Sequence, residues 1–420
     1  MMKIIKKIIS CFLLMGIFLQ TQAQNCPLGN YTISNQTDVD QLAADIANGC
    51  NSIVNFLQIN GATSDLDLSG LSGLVSVNSL SVTNNTGLTQ LTGLNGLRTI
   101  GNTFFIGGNT ILNNLDGLNS LNFIGGDFEI YNNAGLNNIN GLLGLDIVGG
   151  NFKILANAAL DNIAGLSNLD YIAGHIDISE NTTLPNLNGL HGIHIVNNYL
   201  KIDQNLNLQN IDGLINIRSV GGDLLITENP NLINVDGLQS LSSILGQLLI
   251  YENTNLFDID GLKNLNDVGD NLVLFSNSNL SNIDGLENVS TISGNLHINI
   301  NNALVNIDGL SSLNLIGGNL EIVNNDILAL CCGAYNILNQ NIVGGTINIE
   351  NNVTNCNSPQ EIINTCTPCT NKTQVLAEDG DVYLNNSCYG VILTDPNGDC
   401  FRVKVAAGGR LITESILCPQ

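Results

Sequence analysis

Residues 213–236 read GLINIRSVGGDLLITENPNLINVD, and residues 237–260, GLQSLSSILGQLLIYENTNLFDID, repeat their spacing of aliphatic, glycine and asparagine positions. The opening Gly-Leu pair recurs with its glycine at Gly93, Gly117, Gly141, Gly165, Gly189, Gly213, Gly237, Gly261, Gly285 and Gly309, 24 residues apart each time. Gly70-Leu71 begins a further unit shortened by one residue, and Ile53 to Ile59 reads as part of another. A fixed period of this size marks stacked copies of one supersecondary unit.

Counted from the glycine as position 1, Leu stands at 2, an aliphatic at 5, Ile or Val at 8, mostly small residues at 9 and 10, and mostly aliphatics at 12, 14, 20 and 23. The spacing never alternates three and four for long enough to make a helix, and pairs such as Gly125-Gly126 and Gly221-Gly222 interrupt it. Positions 11 to 15 alternate instead. In Asp223-Leu224-Leu225-Ile226-Thr227, positions 12 and 14 face one side and 11, 13 and 15 the other, the pleat of a short strand. One strand of about five residues per coil cannot turn back on an antiparallel partner, so successive coils stack their strands in parallel, about 4.8 Å apart. The ten full units then form a column roughly 45 to 50 Å long with Leu and Ile inside.

Position 17 is Asn in all ten units: Asn109, Asn133, Asn157, Asn181, Asn205, Asn229, Asn253, Asn277, Asn301 and Asn325. An inward carboxamide supplies two donors and an acceptor to backbone groups left unpaired where the coil leaves its strand, and identical amides stack. These residues are read as scaffold, not as a ligand-binding row.

The pattern Leu-x-Ile-x-x-Asn-x-x-Leu at Leu224 to Leu232 and Leu248 to Leu256 resembles leucine-rich repeats, and the Ile-Gly-Gly-x-Leu-x-Ile run at Ile316 to Ile322 resembles the receptor L domain family. The likeness covers roughly residues 26 to 366. It is also similar to short secreted surface proteins of Bacteroidetes bacteria. What it implies is a mainly β fold: a right-handed parallel β-solenoid of 24-residue coils with disulfide-bonded caps, used for extracellular recognition. The coil number, about twice that of a typical receptor L domain, and the missing cysteine-rich and kinase regions carry over no signalling role. Ligand contacts in that family lie outside the repeat motif, so none map onto these residues.

Lys3, Lys6 and Lys7 precede an apolar run from Ile8 to Leu19 and the small residues Thr21 to Ala23, so residues 1–23 read as a signal peptide. The run is too short for a permanent membrane span. Most of that run follows Cys11 instead of preceding it, which argues against a lipoprotein box. Beyond the leader, ten cysteines remain: Cys26, Cys50, Cys331, Cys332, Cys356, Cys366, Cys369, Cys388, Cys400 and Cys418. None lies between Cys50 and Cys331, so the expected disulfides close the ends of the array. Cys366-x-x-Cys369 has no second pair or nearby His to complete a metal site.

The expected organisation is then a helical N-terminal cap (24–52), solenoid repeats (53–325), a C-terminal cap (326–366) and a small disulfide-rich β module (367–420). Thr37-Asp38-Val39-Asp40 reads as a capping box opening a helix that buries Val39, Leu42, Ala43 and Ile46, ends at Gly49 and is pinned by Cys26 to Cys50. Ile327 to Leu338 reads as a short helix, with Cys331 or Cys332 bonding into the region of Cys356 and Cys366 in a connectivity left open, and Ile347 to Ile349 as a last strand. Past Cys366 the alternating stretches Val382 to Leu384, Tyr389 to Thr394 and Phe401 to Val405 surround the turn Asp395-Pro396-Asn397-Gly398.

Lys and Arg number 12 against 36 Asp and Glu, a formal charge of −24, which repels phosphate backbones and excludes nucleic acid as a partner. Sixty-nine asparagines supply most of the polarity, since only 11% of residues are charged. The catalytic inventory is thin. His175, His191, His194 and His297 form no metalloprotease pattern; no nucleophile elbow or phosphate loop occurs; and no cofactor or metal is expected. Asp212, Asp236, Asp260, Asp284 and Asp308 stack at position 24 and are read as caps of the turn backbone in preference to calcium ligands. Outward positions 13 and 15 carry Leu225, Leu249, Tyr251, Val273 and Phe275, with Tyr131 and Leu155 further up, and four neighbouring coils so furnished are expected to form a contiguous apolar patch on an acidic, amide-rich molecule. This is the candidate ligand-binding patch. It could equally be covered by another loop or by the C-terminal module.

The sequence therefore reads as a secreted or cell-surface, non-enzymatic recognition or adhesion protein that binds a protein or glycan through the outward strand face. A self-associating surface or matrix protein is the alternative, and a carbohydrate-active β-helix enzyme the third.

Overall fold

The computed structural model describes residues 24–366 and, beyond them, only the strands Ala377–Glu378, Asp381–Val382, Ile392–Thr394, Cys400–Ala406 and Arg410–Ile416. The signal-peptide reading, the sulfurs of Cys369, Cys388, Cys400 and Cys418 and the Asp395 to Gly398 turn lie outside the described residues. The last three strands pair antiparallel in sequence order, and the first two form a two-residue pairing.

Residues 24–366 wind into a parallel β-solenoid. One ladder of fourteen strands runs from Asn30–Ile33 to Ile347–Glu350, all parallel. Its register advances by one period per coil: Leu200 faces Leu224, which faces Leu248, which faces Leu272. Positions 12 and 14 are buried in all ten full units, stacking each apolar side chain on its equivalent. Phe104, Phe128 and Phe152 take position 12 in three successive coils, with ring centroids 5.0 and 4.6 Å apart.

The coil is more regular than one strand per unit. The ladder strand covers four residues, and positions 7 and 8 form a second ladder of two-residue strands from Thr99–Ile100 to Leu315–Ile316, broken between Tyr171–Ile172 and Ile195–Val196. A 3-10 turn such as Asp212–Leu214 or Asp260–Leu262 bridges position 24 to position 2 in the later coils.

The bend after the strand has its own chemistry. Residue 16 lies in the left-handed region in coil after coil, φ 52–60° at Asn84, Asn132, Ala156, Glu180, Gln204, Glu228, Glu252, Ser276, Ile300 and Asn324. An ordinary side chain there costs about 1–2 kcal/mol. Asparagine 17 holds the bend: Asn205 Nδ2 donates to Ile178 O at 2.8 Å, and Asn181 N donates to Asn205 Oδ1 at 3.1 Å. The same bonds extend one coil beyond the ten units at each end, to Asn85 at the front and Asn352 at the back.

Both ends are closed. At the front, the helix Gln36–Ala47 buries Val39 and Leu42, with Ala43 and Ile46 packed against the core. Its capping box begins at Asn35, not Thr37: Asn35 Oδ1 accepts from Asp38 N, and Asp38 Oδ2 accepts from Asn35 N. Thr37 lies inside the first turn, and a side chain caps only from the last non-helical residue. Gly49 leaves the helix at φ 105°, and Cys26 is bonded to Cys50. Tyr31 donates from its hydroxyl to Asp45 Oδ2 at 2.7 Å, and burial with this bond pushes its pKa up to about 12.

At the back, the helix is shorter than Ile327 to Leu338. Leu328 and Cys331 keep core positions 20 and 23, and Gly333 stands 24 residues after Gly309, so the chain completes a normal turn at Cys332–Ala334. Only Tyr335–Asn339 is helical. The period then lengthens by three, Leu320 facing Ile347, and Ser358 caps the last helix, Pro359–Thr365. Cys331 pairs with Cys356 and Cys332 with Cys366. Cys366 is thereby unavailable as a metal ligand.

Candidate functional site

The strand ladder turns positions 13 and 15 outward and keeps them one coil apart, so the character of this face is set by the side chains at two positions per coil. Upstream, position 13 alternates in charge through Glu129, Lys153, Asp177 and Lys201, each facing the next across the ladder. Polar groups there are paired among themselves. Lys201 Nζ lies 2.9 Å from Asp203 Oδ2, Asp203 accepts from Thr227 Oγ1, and Asp177 accepts from Ser179 Oγ.

From the next coil onward the face turns apolar. Leu225 faces Leu249 and Leu249 faces Val273, while Tyr251 faces Phe275 with ring centroids 5.5 Å apart and planes tilted by 32°. All five are half-buried, shielded laterally by one another. Tyr251 donates its hydroxyl to Glu252, and this bond, with the charges of Glu252 and Glu228, raises the phenol's pKa. The patch spans three coils, not four: Lys201, Asp203 and Thr227 border it on one side, His297 and Asn299 on the other. Tyr131 and Leu155 face each other but are parted from it by Ser179 and Asp203. Tyr131 is 44% exposed.

Two apolar features of these coils and the next one escape a reading confined to positions 13 and 15. Ile300 stands exposed on the left-handed bend, and position 21 exposes Ile233 (53%), Phe257 (56%) and Val305 (40%). Backbone bonds such as Phe257 N to Ile233 O, 2.9 Å, and Val305 N to Ser281 O, 3.0 Å, stack position 21 coil on coil. The bonded amides Asn231, Asn255 and Asn279 lie at position 19, between this row and the strand. The 24-residue register could have revealed the row from sequence, since Ile233, Phe257 and Val305 are the large apolar residues at a turn position that otherwise holds polar or small residues and one proline.

The aspartate row does not cap the turns with its carboxylates. Position 22 does so: Asn210, Asn234, Asp258, Asn282 and Asn306 each accept from the backbone N–H of position 24, at 3.1–3.3 Å. Apart from Asp260, which accepts from Lys263 Nζ at 2.9 Å, the Asp side chains are left to stack. Burial first, then neighbouring carboxylates, raise the pKa of Asp236 and Asp284, and burial raises that of Asp308. A carboxyl raised in the folded state opposes folding where it is ionised. Asp284→Asn, which copies Asn140 and Asn188 at the same position, should therefore raise the melting temperature at pH 7 and low salt. The gain should shrink as pH falls through the raised pKa toward the ordinary carboxylate value, where both states are protonated. A melting temperature unchanged or lowered at pH 7 rejects this account of the row.

Among the described residues no three His, Cys, Asp or Glu side chains gather to hold a metal ion, and no helix is long and apolar enough to cross a membrane. The histidines stand apart in role. His175 stacks on Tyr199 at 4.1 Å, with burial lowering its pKa and Nε2 buried without a partner. His194 Nδ1 is 2.6 Å from Gly192 O, His191 is exposed, and His297 Nε2 lies 3.8 Å from Glu321.

The fold is thus a leucine-rich-repeat-like parallel β-solenoid. No family model and no curated protein matches the chain. A solved structure of a TLR13–ssRNA13 complex is similar over 72% of this chain at 12% identity and a TM-score of 0.23. The match spans 55% of that protein's chain, little more than half its length. The assignment of fold rests on the strand register within this chain.

Proposed function

We propose that this is an exported, non-enzymatic recognition protein that engages an extracellular protein or glycan through the outward strand face, at Leu225, Leu249, Tyr251, Val273 and Phe275. The observation that carries the reading is the change along one face of the ladder, from polar side chains bonded to one another to apolar and aromatic ones with no polar partner beyond the Tyr251 hydroxyl. Core positions are filled elsewhere in every coil, so these five side chains are surplus to the fold. Three disulfides at the ends of the array suit an oxidising compartment.

The test is binding of residues 24–420 to arrays of glycans and surface proteins, with calcium and with chelator, beside a Tyr251→Asp, Phe275→Asp double variant whose melting curve shows it folded. A ligand held by the parent and lost by the variant supports the strand face as the site. Equal binding by both removes it, and self-association of the parent on sizing columns with no ligand found favours a structural surface role instead.

A further inference from the structure

We infer that the partner of this face is a protein segment combining apolar side chains with lysine or arginine, and that Ile300 belongs to its footprint. The inference rests on the strand face being the binding surface and goes on to specify what it binds. Position 16 is left-handed throughout, and the coils that follow the local preference place Asn there, at Asn84, Asn132 and Asn324. A β-branched side chain is the least suited to that backbone. Ile300 nevertheless holds φ 57° and is 36% exposed, so it neither fills the core nor eases the bend. Ser276 N donates to Asn299 O at 3.0 Å, which sets Ile300 one coil beyond the Phe275–Ser276 corner. Backbone strain that the fold does not need is kept where a surface needs the side chain.

Charge specifies the rest. Position 16 supplies Glu228 and Glu252 beside Thr227 and Tyr251, and Asp223 stands at position 11 of the same face. The two cations of coils 213–308, Arg218 and Lys263, are both off the strands, and Lys263 is held by Asp260. Lys201, on the adjoining coil, is bonded to Asp203. An apolar patch rimmed by unopposed carboxylates complements a segment that is apolar at its centre and basic at its edge. A sugar would want a flat ring face with free fixed donors beside it. Here the rings are tilted against each other, and the Tyr251 hydroxyl is already committed to Glu252.

The probe is a short fluorescent peptide of alternating Leu and Lys, compared with Leu/Glu and Ser/Lys peptides of equal length and with cellohexaose, each titrated into residues 24–420 at low and high salt. The Leu/Lys peptide should bind about tenfold or more tighter than either control. Ile300→Asn should weaken it roughly threefold while raising the melting temperature, a combination that mere misfolding cannot produce. Glu228→Gln with Glu252→Gln should flatten the salt dependence. Equal binding of the Ser/Lys peptide, unchanged binding by Ile300→Asn, or no binding of the Leu/Lys peptide overturns the inference. Cellohexaose bound by the parent and lost by Tyr251→Asp, Phe275→Asp would also overturn it, while leaving the strand face standing as the site.

Discussion

Asn205→Leu should lower the unfolding free energy by about 3–5 kcal/mol, measured as a shift of the guanidinium chloride midpoint followed by far-UV circular dichroism. The carboxamide is fully buried. Its nitrogen donates to Ile178 O at 2.8 Å and to Asn229 Oδ1 at 3.3 Å, and its oxygen accepts from Asn181 N at 3.1 Å and Asn181 Nδ2 at 3.3 Å. Leucine has similar volume and none of these groups, so Asn181 N is orphaned in a dry core at roughly 1–3 kcal/mol, and Ile178 O and Asn229 Oδ1 each lose a donor. The damage also reaches both neighbouring coils, because each amide is the partner of the next. At the half-buried end of the same row, Asn352→Leu should cost less, about 1–2 kcal/mol, since water can reach its partners. Equal midpoints for Asn205→Leu and the parent would show that the row does not hold the bends.

Gly261→Ala should be nearly as damaging, about 3 kcal/mol, by a different route. A Cβ on Gly261 would stand 1.9 Å from Val235 O, 2.5 Å from Val235 C and 2.9 Å from Asp236 Cα, all backbone atoms of the preceding coil. Nothing there can rotate aside, so the two coils must part and the ladders on both sides stretch. The same clash, at 1.8–2.0 Å, recurs at Gly213, Gly237, Gly285 and Gly309. Gly61→Ala is the control: it meets no atom within 4 Å and pays only for φ 73°, about 1 kcal/mol. Similar losses for the two alanine variants would mean that backbone conformation, not coil-to-coil contact, is what position 1 protects.

The contrast between these residues shows which features could be read early. Asparagine 17 announces itself, because a polar residue repeated among core positions has few reasons to exist besides backbone pairing. The glycine of position 1 is just as regular, yet its reason is invisible in one dimension: it is set by the carbonyl of a position-23 residue 26 residues upstream, which the winding brings against it. The end coils were harder still. Gly333-Ala334 continues the period, but Cys331 stands in for the aliphatic at position 23 and a three-residue insertion follows, so the unit reads as a helix until the strand Ile347–Glu350 is seen in register with Leu320–Val323.

The proposed binding face divides the same way. The alternation of positions 11 to 15 was enough to turn Leu225, Leu249, Tyr251, Val273 and Phe275 outward, since the pleat is a local property of the strand. The extent of the patch, its separation from Tyr131 and Leu155, and the pairing of Lys201 with Asp203 depend on which side chains meet across coils 24 residues apart. The left-handed bend that makes Ile300 costly also leaves no mark in residue type, because Asn, Ala, Glu, Gln, Ser and Ile all occupy it.

By itself the sequence determined the period, the parallel stacking and the identity of the core, because burial and pleat act within each 24-residue unit and are repeated ten times. Only the tertiary structure decided the second ladder, the glycine contacts, the disulfide partners and the borders of the apolar face. Those arise from atoms of successive coils brought within a few ångströms, a distance that no spacing along one chain records.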